Sequence, residues 1–363
     1  MDAVRVGFDT GPLHGPRSGV GFSVDALHQA LERRPDVALV DYLVSFRADP
    51  AAGSRRLPLP AALAHRCWAR SLHPRADRWL GDLDVVHGTN YVVPPTRGPR
   101  LVTVHDCWFV HRPDLVSTAV RRSGEVMRRA IGDGAAVHAV SHATAAAVRE
   151  LFPDAPVTVV HWGALPLSPP PAAAPVPDLV GRRFVLAIGT LERRKNLPAL
   201  VRAFGSIAGL HPDLDLVLAG NDGDDRPAIE AAVDSLGPHA GRVLFTGRVD
   251  GDARSWLLHH AAVLAYPSLD EGFGFPLLDA MQAGVPVVTS DAGSIPEVAG
   301  EAALMSPATD TDALAANLSA VLADPELRAR LVDAGHAQHR RFTWDACADG
   351  MATLYHSLAE ARS

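Results

Sequence analysis

Glu271, Gly272, Gly274 and Asp279 stand close together in the stretch Ser268-Leu-Asp-Glu-Gly-Phe-Gly-Phe-Pro-Leu-Leu-Asp-Ala-Met-Gln-Ala-Gly-Val-Pro-Val288. Glycine permits close backbone approach and unusual dihedrals. Pro276 suits the opening of a helix, where its missing N–H would be unpaired anyway. A helix that opens here offers free N–H groups and a positive dipole end, which together suit a phosphate. Carboxylates beside such a site accept hydrogen bonds from sugar or ribose hydroxyls. Arg193, Arg194 and Lys195 form a second feature. Positive charge at a helix start opposes the dipole, so something negative should offset it. Cations, glycines and a helix N-terminus together describe a site for a di-anionic phosphate. The third feature is His105-Asp106, which reads either as a ligand contact or as a histidine hydrogen-bonded inside a sheet edge.

The elements that must position these residues follow from the apolar pattern. Strands are expected at 4–8, 37–44, 85–87, 101–104, 136–140 and 157–160 in the first half, with helices over 22–31, 116–132 and from an N-cap at Ser141 to Leu151. The loop from Asp9 to Gly21 is glycine-rich, and Gly19-x-Gly21 is half of a dinucleotide fingerprint whose third glycine is replaced by Val24. A tight turn and a ligand-contacting loop compete evenly there. Six prolines in thirteen residues mark 166–178 as a stiff linker. Beyond it, strands at 184–188, 214–219, 243–245, 261–266 and 285–288 alternate with helices, including ones near 311–323 and 325–341. Strand-then-helix repetition argues for an α/β fold with a parallel sheet in each half. The loops carrying Arg193 to Lys195, Glu271 to Gly274, and Ser290 to Glu297 all follow strands, so they gather at one sheet edge.

Composition narrows the function. The chain has 363 residues, room for two domains, with 47% hydrophobic and 21% charged residues. A formal net charge of −7 gives a nucleic-acid partner no support. Cys67, Cys107 and Cys347 are too scattered for a metal site or a disulfide framework. The pairs Asp82/Asp84, Asp213/Asp215, Asp222/Asp224 and Asp310/Asp312 read as surface turns rather than metal ligands. His138 and His142 straddle a strand end and a helix cap, so no metal site is expected. There is no Gly-x4-Gly-Lys-Ser/Thr phosphate loop and no Gly-x-Ser-x-Gly nucleophile elbow. Residues 45–82 interleave Arg47, Arg55, Arg56, Arg66, Arg70, Arg75 and Arg78 with Trp68 and Trp79. They read first as a solvated face with packed tryptophans, and second as a surface for an anionic acceptor or weak peripheral membrane contact. No apolar run reaches the roughly 20 residues that span a bilayer. The expectation is a cytoplasmic protein, at most peripheral to the inner face of the membrane.

Four segments carry a family resemblance: His87-Gly-Thr-Asn-Tyr-Val-Val-Pro-Pro95 with Thr103-Val-His-Asp106, Gly189-Thr-Leu-Glu-Arg-Arg-Lys-Asn-Leu197, Pro267 to Met281, and Ser294-Ile-Pro-Glu-Val-Ala-Gly300. Arg341-Phe-Thr-Trp344 also fits. In this order the chain resembles a retaining, nucleotide-sugar-dependent glycosyltransferase of the GT-B fold, in family four, which includes many mannosyltransferases. The resemblance implies two Rossmann-like domains facing each other across a cleft. Residues 1–165 would bind the acceptor, 166–178 would link, 179–345 would bind the donor, and a last helix over about 346–363 would cross back to the first domain.

It further implies that Lys195 and an arginine hold the donor diphosphate, and that Glu271 with the backbone of Gly272, Phe273, Gly274 and Phe275 contacts the donor sugar and phosphate. Asp279 would take the place of the acid that holds the ribose, His105 would sit near the donor sugar, and Gly19 and Gly21 would face the phosphates. His105, Glu271 and Lys195 are the expected catalytic residues. Two departures stand out. The second acid is Asp279 where the family usually has Glu, and Gly189-Thr190 replaces a Gly-Arg pair, which passes the arginine role to Arg194 in preference to Arg193. No cofactor is implied beyond the nucleoside-diphosphate sugar as co-substrate, first choice GDP-mannose, and no metal. The acceptor would be a glycan, a lipid-linked sugar or a small molecule. The other classes to weigh are a catalytically silent sugar-nucleotide or glycan binder and a GT-B sugar-nucleotide epimerase.

Overall fold

A computed structural model describes residues 3–14, 19–46, 53–112, 116 and 118–361. The chain divides into two compact units, Met1–Gly163 with Phe342–Ser363, and Ala164–Arg341. Each is built round one parallel sheet with helices between its strands, the doubly wound architecture of the GT-B fold.

The first unit has β1 (Val4–Asp9), β2 (Val37–Val44), β3 (Arg55–Leu57), β4 (Val85–Gly88), β5 (Arg100–Val104), β6 (Ala136–Ala139) and β7 (Val157–Val159), in the order β3-β2-β1-β4-β5-β6-β7. Its helices are α1 (Gly19–Glu32), α2 (Ala61–Trp68), α3 (Asp77–Leu80), α4 (Trp108–His111), α5 (Thr118–Gly132) and α6 (His142–Leu151). Strands β4, β5 and β6 are buried along their whole length, as expected of a parallel sheet covered on both faces. Ser141 caps α6 as expected, its Oγ accepting from Thr144 N at 3.0 Å.

One expectation fails here. Gly19 and Gly21 do not lie in a loop before the helix; they form the first turn of α1. The reading from sequence started the helix at the first large apolar residue, Phe22, but Phe22 is 47% exposed. The buried face runs through Gly21, Val24, Leu27, Ala30 and Leu31, so Gly21 is a small core-facing residue. Arg47, from the basic stretch, lies outside the described residues, as do 15–18 of the glycine-rich loop.

The second unit has β8 (Arg183–Ile188), β9 (Leu214–Ala219), β10 (Val243–Gly247), β11 (Val263–Tyr266), β12 (Val287–Ser290) and β13 (Ala303–Ser306), in the order β10-β9-β8-β11-β12-β13. Its helices are α7 (Leu197–Ala208), α8 (Arg226–Asp234), α9 (Gly251–His260), α10 (Phe275–Gln282), α11 (Ile295–Ala299), α12 (Thr311–Ala323) and α13 (Pro325–His339). The α7 face of Leu197, Leu200, Val201, Phe204 and Ile207 packs into one core with Leu216 and Leu218 of β9 and Leu318 of α12. The proline-rich residues 166–178 belong to this unit, where Ser255 Oγ donates to Ser168 O. Asp215 corrects the reading of every Asp-x-Asp pair as a surface turn. It lies inside β9, 4% exposed, and its charge is met by Arg182 Nε at 2.6 Å.

The chain ends in α14 (Trp344–Glu360), which packs on α1, β1 and β4 of the first unit. Its Tyr355 enters a buried polar chain. Tyr355 OH lies 2.7 Å from His87 Nδ1, His87 Nε2 2.7 Å from Thr103 Oγ1, Thr103 Oγ1 2.9 Å from His138 Nδ1, and His138 Nε2 2.9 Å from Val160 O. A carbonyl only accepts, so His138 carries its proton on Nε2 and accepts on Nδ1. Thr103 must then donate to His138 and accept from His87 Nε2–H, which leaves His87 Nδ1 to accept from Tyr355. One assignment satisfies every member, and both imidazoles are neutral. Burial lowers both histidines, His138 to about 4 and His87 well below its ordinary value. Among the described residues, no helix is long and apolar enough to cross a membrane.

Candidate active site

In the second unit the strand order reverses between β8 and β11, so the loops that follow these two strands flank the crevice where such sheets take ligands. Gly189 to Asn196 leaves β8, and Pro267 to Gly274 leaves β11. The two loops are stitched together. Leu269 N donates to Arg194 O at 2.7 Å. Asn196, in the left-handed conformation at φ 55°, donates from Nδ2 to Pro267 O at 3.2 Å and Ala308 O at 2.8 Å. The loop after β12 joins them through Ser294 N, which donates to Glu271 O at 2.9 Å. Gly293 is required at this junction: its φ is +57°, and a Cβ there would meet Glu271 O at 2.5 Å.

This stitching brings Arg194, Lys195 and Glu271 together. Lys195 Nζ donates to Glu271 Oε1 at 2.6 Å and to Tyr266 OH at 2.8 Å. Arg194 donates from Nη1 to Glu271 Oε2 at 2.7 Å and to Asp270 O at 3.1 Å, and from Nη2 to Glu192 Oε1 at 2.9 Å. Glu271 is 6% exposed, and the side chains of Lys195 and Arg194 only 12% and 17%. Burial pushes the Glu271 pKa up, but Arg194 and Lys195 outweigh it and hold the carboxyl at about 2. Burial lowers the Lys195 ammonium, and the Glu271 carboxylate offsets part of that. Burial raises Tyr266 well above its ordinary value, so its phenol stays protonated. The negative group that the Arg-Arg-Lys run demanded is therefore Glu271, supplied by a loop more than seventy residues away.

Gly274 caps α10 in the left-handed region at φ +91°, and Phe273 and Phe275 meet edge to face at 5.2 Å. Beside Lys195 there is a void of only about 10 Å³, lined by Ala187, Leu197, Ala265 and Tyr266 among others, with room for about one water. Asp279 lies one turn further along α10 and is apart from this cluster. It is 2% exposed and pairs with Arg254 of α9. Arg193 is half-exposed and lies 3.9 Å from Asp224 and 4.0 Å from Asp225, so of the two arginines it is Arg194 that enters the cluster.

His105, Gly19 and Gly21 belong to the first unit. His105 follows β5, with Nε2 3.0 Å from Thr89 O and its ring stacked on Trp162 at 6.0 Å. Burial lowers it to about 4, so it is a neutral imidazole. Tyr266, Asn196, Glu192 and Arg254 were not expected from the sequence. One signal was available: of the 34 Lys and Arg residues only one, Lys195, is lysine. A compact ammonium with three donors on a flexible stem is kept at this single position, where it must reach both Glu271 and Tyr266.

The profile of the family described as Glycosyl transferases group 1 matches residues 176–338, and that of Glycosyltransferase Family 4 matches residues 17–164. The chain is 30% identical over 302 residues to the O-antigen chain mannosyltransferase B of Escherichia coli, covering 80% of this chain and 79% of that one. The chain belongs to the group 1 glycosyltransferases of family 4. Like other members of this family it is a glycosyltransferase. It is also 30% identical over 348 residues to the phosphatidyl-myo-inositol mannosyltransferase of Mycobacterium leprae, covering 91% of this chain and 87% of that one. The fold matches that of sucrose-phosphate synthase from Thermosynechococcus elongatus with a TM-score of 0.76 at 22% identity, over 99% of this chain and 100% of that one.

Proposed function

We propose that this glycosyltransferase moves a mannosyl group from GDP-mannose to a hydroxyl of a glycan, lipid-linked or small-molecule acceptor, with retention of configuration and without a metal or cofactor. The observation that carries the reading is Glu271, buried and ionised between Lys195 and Arg194 at the switch point of the second sheet. In this reading residues 179–345 take the donor and residues 1–165 the acceptor. The leaving nucleoside diphosphate gains charge as the bond from the anomeric carbon to its phosphate oxygen breaks. Lys195 and Arg194 are donors already fixed in place for that charge. Glu271 orients them and accepts from sugar hydroxyls, and the N-terminus of α10 adds its dipole. The departing phosphate oxygen takes the acceptor proton on the face where the new bond to the anomeric carbon forms. His105, neutral and held through Nε2 by Thr89 O, offers Nδ1 to a sugar hydroxyl. Mannose is supported by the names of the two sequence relatives, both mannosyltransferases. The reading keeps the chain in the cytoplasm, with peripheral membrane contact at most.

A thermal-shift panel of GDP-, UDP-, dTDP- and ADP-sugars tests the donor. A ligand at 100 times its dissociation constant adds about 2.7 kcal/mol of stability. GDP-mannose should give the largest shift, and no shift with any of the four would refute the donor reading. Proton NMR of the product should show the α-anomer, and strict dependence on a divalent ion would contradict the metal-free mechanism.

A further inference from the structure

Asp279 is expected from the resemblance to hold the ribose, but one of its carboxylate oxygens is already engaged and the other is buried. Oδ2 accepts from Arg254 Nη2, and Oδ1 is shut off from solvent with no partner. The side chain is one methylene shorter than the usual glutamate and 2% exposed, so in this conformation it presents almost nothing to a ligand. Arg254 stands in the opposite situation. Its side chain is 29% exposed, and among the described residues Asp279 is its one hydrogen-bond partner, which leaves most of its five N–H donors unused. It sits near the start of α9, which Asp250 caps by accepting from Ala253 N at 2.8 Å. That start follows β10, so Arg254 belongs to the carboxyl edge of the sheet, the edge that carries Lys195 and Glu271.

We infer that Arg254, rather than Asp279, meets the nucleoside of the donor and reads its base, with Asp279 acting through it as a positioning residue. A guanidinium presents two parallel N–H groups and is matched by two acceptors side by side. Guanine has that pair in O6 and N7; adenine puts an amino donor next to N7. Uracil and thymine flank an N–H with carbonyls. A guanidinium anchored at one end by a buried carboxylate is rigid enough to discriminate, and it selects guanine. The inference rests on the nucleotide-sugar reading above, and deepens it by naming what sets the nucleotide.

Calorimetric titration of GDP, 7-deaza-GDP and UDP tests it on the wild-type chain and on Arg254→Met, Arg254→Lys and Asp279→Asn. The wild type should bind GDP roughly 5–150-fold more tightly than 7-deaza-GDP, which lacks the N7 acceptor. Arg254→Met should bind the two alike and lose its preference for GDP over UDP. Arg254→Lys, which keeps the charge without the fork, should lose the preference and retain part of the affinity. Asp279→Asn should reduce the preference, and should add nothing in an Arg254→Met background, since the two act as one unit. Lys195→Ala should weaken all three nucleotides equally. Equal affinity of the wild type for GDP and 7-deaza-GDP would overturn the inference, as would a preference for GDP that survives Arg254→Met. A wild type that binds UDP over GDP would instead overturn the guanine donor on which it rests.

Discussion

The two units satisfy their buried polar groups in opposite ways. In the first, Tyr355, His87, Thr103 and His138 form a chain of neutral hydrogen bonds that ends on Val160 O, and His87, Thr103 and His138 each donate once and accept once. In the second, formal charges are buried: Glu271 with Lys195 and Arg194, and Asp279 with Arg254. Taking ions out of water is expensive and a buried pair seldom repays it in stability. A neutral chain ties β4, β5, β6 and α14 together at far lower cost. The contrast teaches that the buried charges of Glu271, Lys195 and Arg194 gather at the loops proposed to take the donor, whereas the imidazoles of His87 and His138 serve structure alone.

Acid separates the two. His105 and His138 hold folded pKa values of about 4 against an ordinary 6.5, and burial lowers His87 well below its ordinary value. A histidine lowered by folding takes its proton first in the unfolded chain, so these histidines cost the first unit stability as pH falls from 6.5 towards 4, and Asp9, raised to about 7 by burial, returns only part of it. The loss is about 3 kcal/mol for each of His105 and His138. Glu271 is depressed from 4.5 to about 2, so its contribution is intact above 4.5 and disappears only as pH falls from there towards 2. Hydrogen exchange read by mass spectrometry at about pH 5 should show the first unit opening and the second protected. Equal protection of both, or earlier opening of the second, would break the comparison.

Substitutions sharpen it. Lys195→Ala should lower turnover by roughly 10²–10³, the scale for one preorganised donor, while exchange in the first unit stays unchanged. Near-normal turnover would remove Lys195 from the chemistry. Glu271→Gln leaves two cations facing a neutral amide, and should destabilise the second unit by about 3 kcal/mol in denaturant titration. Thr103→Val leaves His87 Nε2–H and His138 Nδ1 without partners, and should lower the stability of the first unit by about 2 kcal/mol with little effect on donor affinity. A Thr103→Val chain as stable as the wild type would mean that the polar chain contributes nothing.

Much of this was legible from the residues. The strand from 214 to 219, the Ser141 cap, the α7 face and the loops bearing Lys195 and Glu271 follow from period, punctuation and the rule that ligands gather beyond the carboxyl ends of strands. The demand for a negative partner at Arg193 to Lys195 followed from the helix dipole, but its identity did not. The helical place of Gly19 and Gly21 was missed because small residues carry little hydrophobic signal even when they face the core. Tyr266 was missed because the last residue of a buried strand reads as core, and Arg254 because a lone arginine in an ordinary helix has nothing to mark it.

By itself, then, the sequence determined the alternation of strands and helices, the two halves, and the concentration of glycine and charge in the loops at 189–196 and 267–274, because periodicity, glycine and charge are local properties. Only the tertiary structure decided which side chains meet. Glu271 reaches Lys195 and Arg194 because β11 lies beside β8 in the sheet, and Asp279 meets Arg254 because α9 packs on α10. Those pairings depend on strand order and on side-chain length, down to the single methylene by which aspartate falls short of glutamate, and neither can be read one residue at a time.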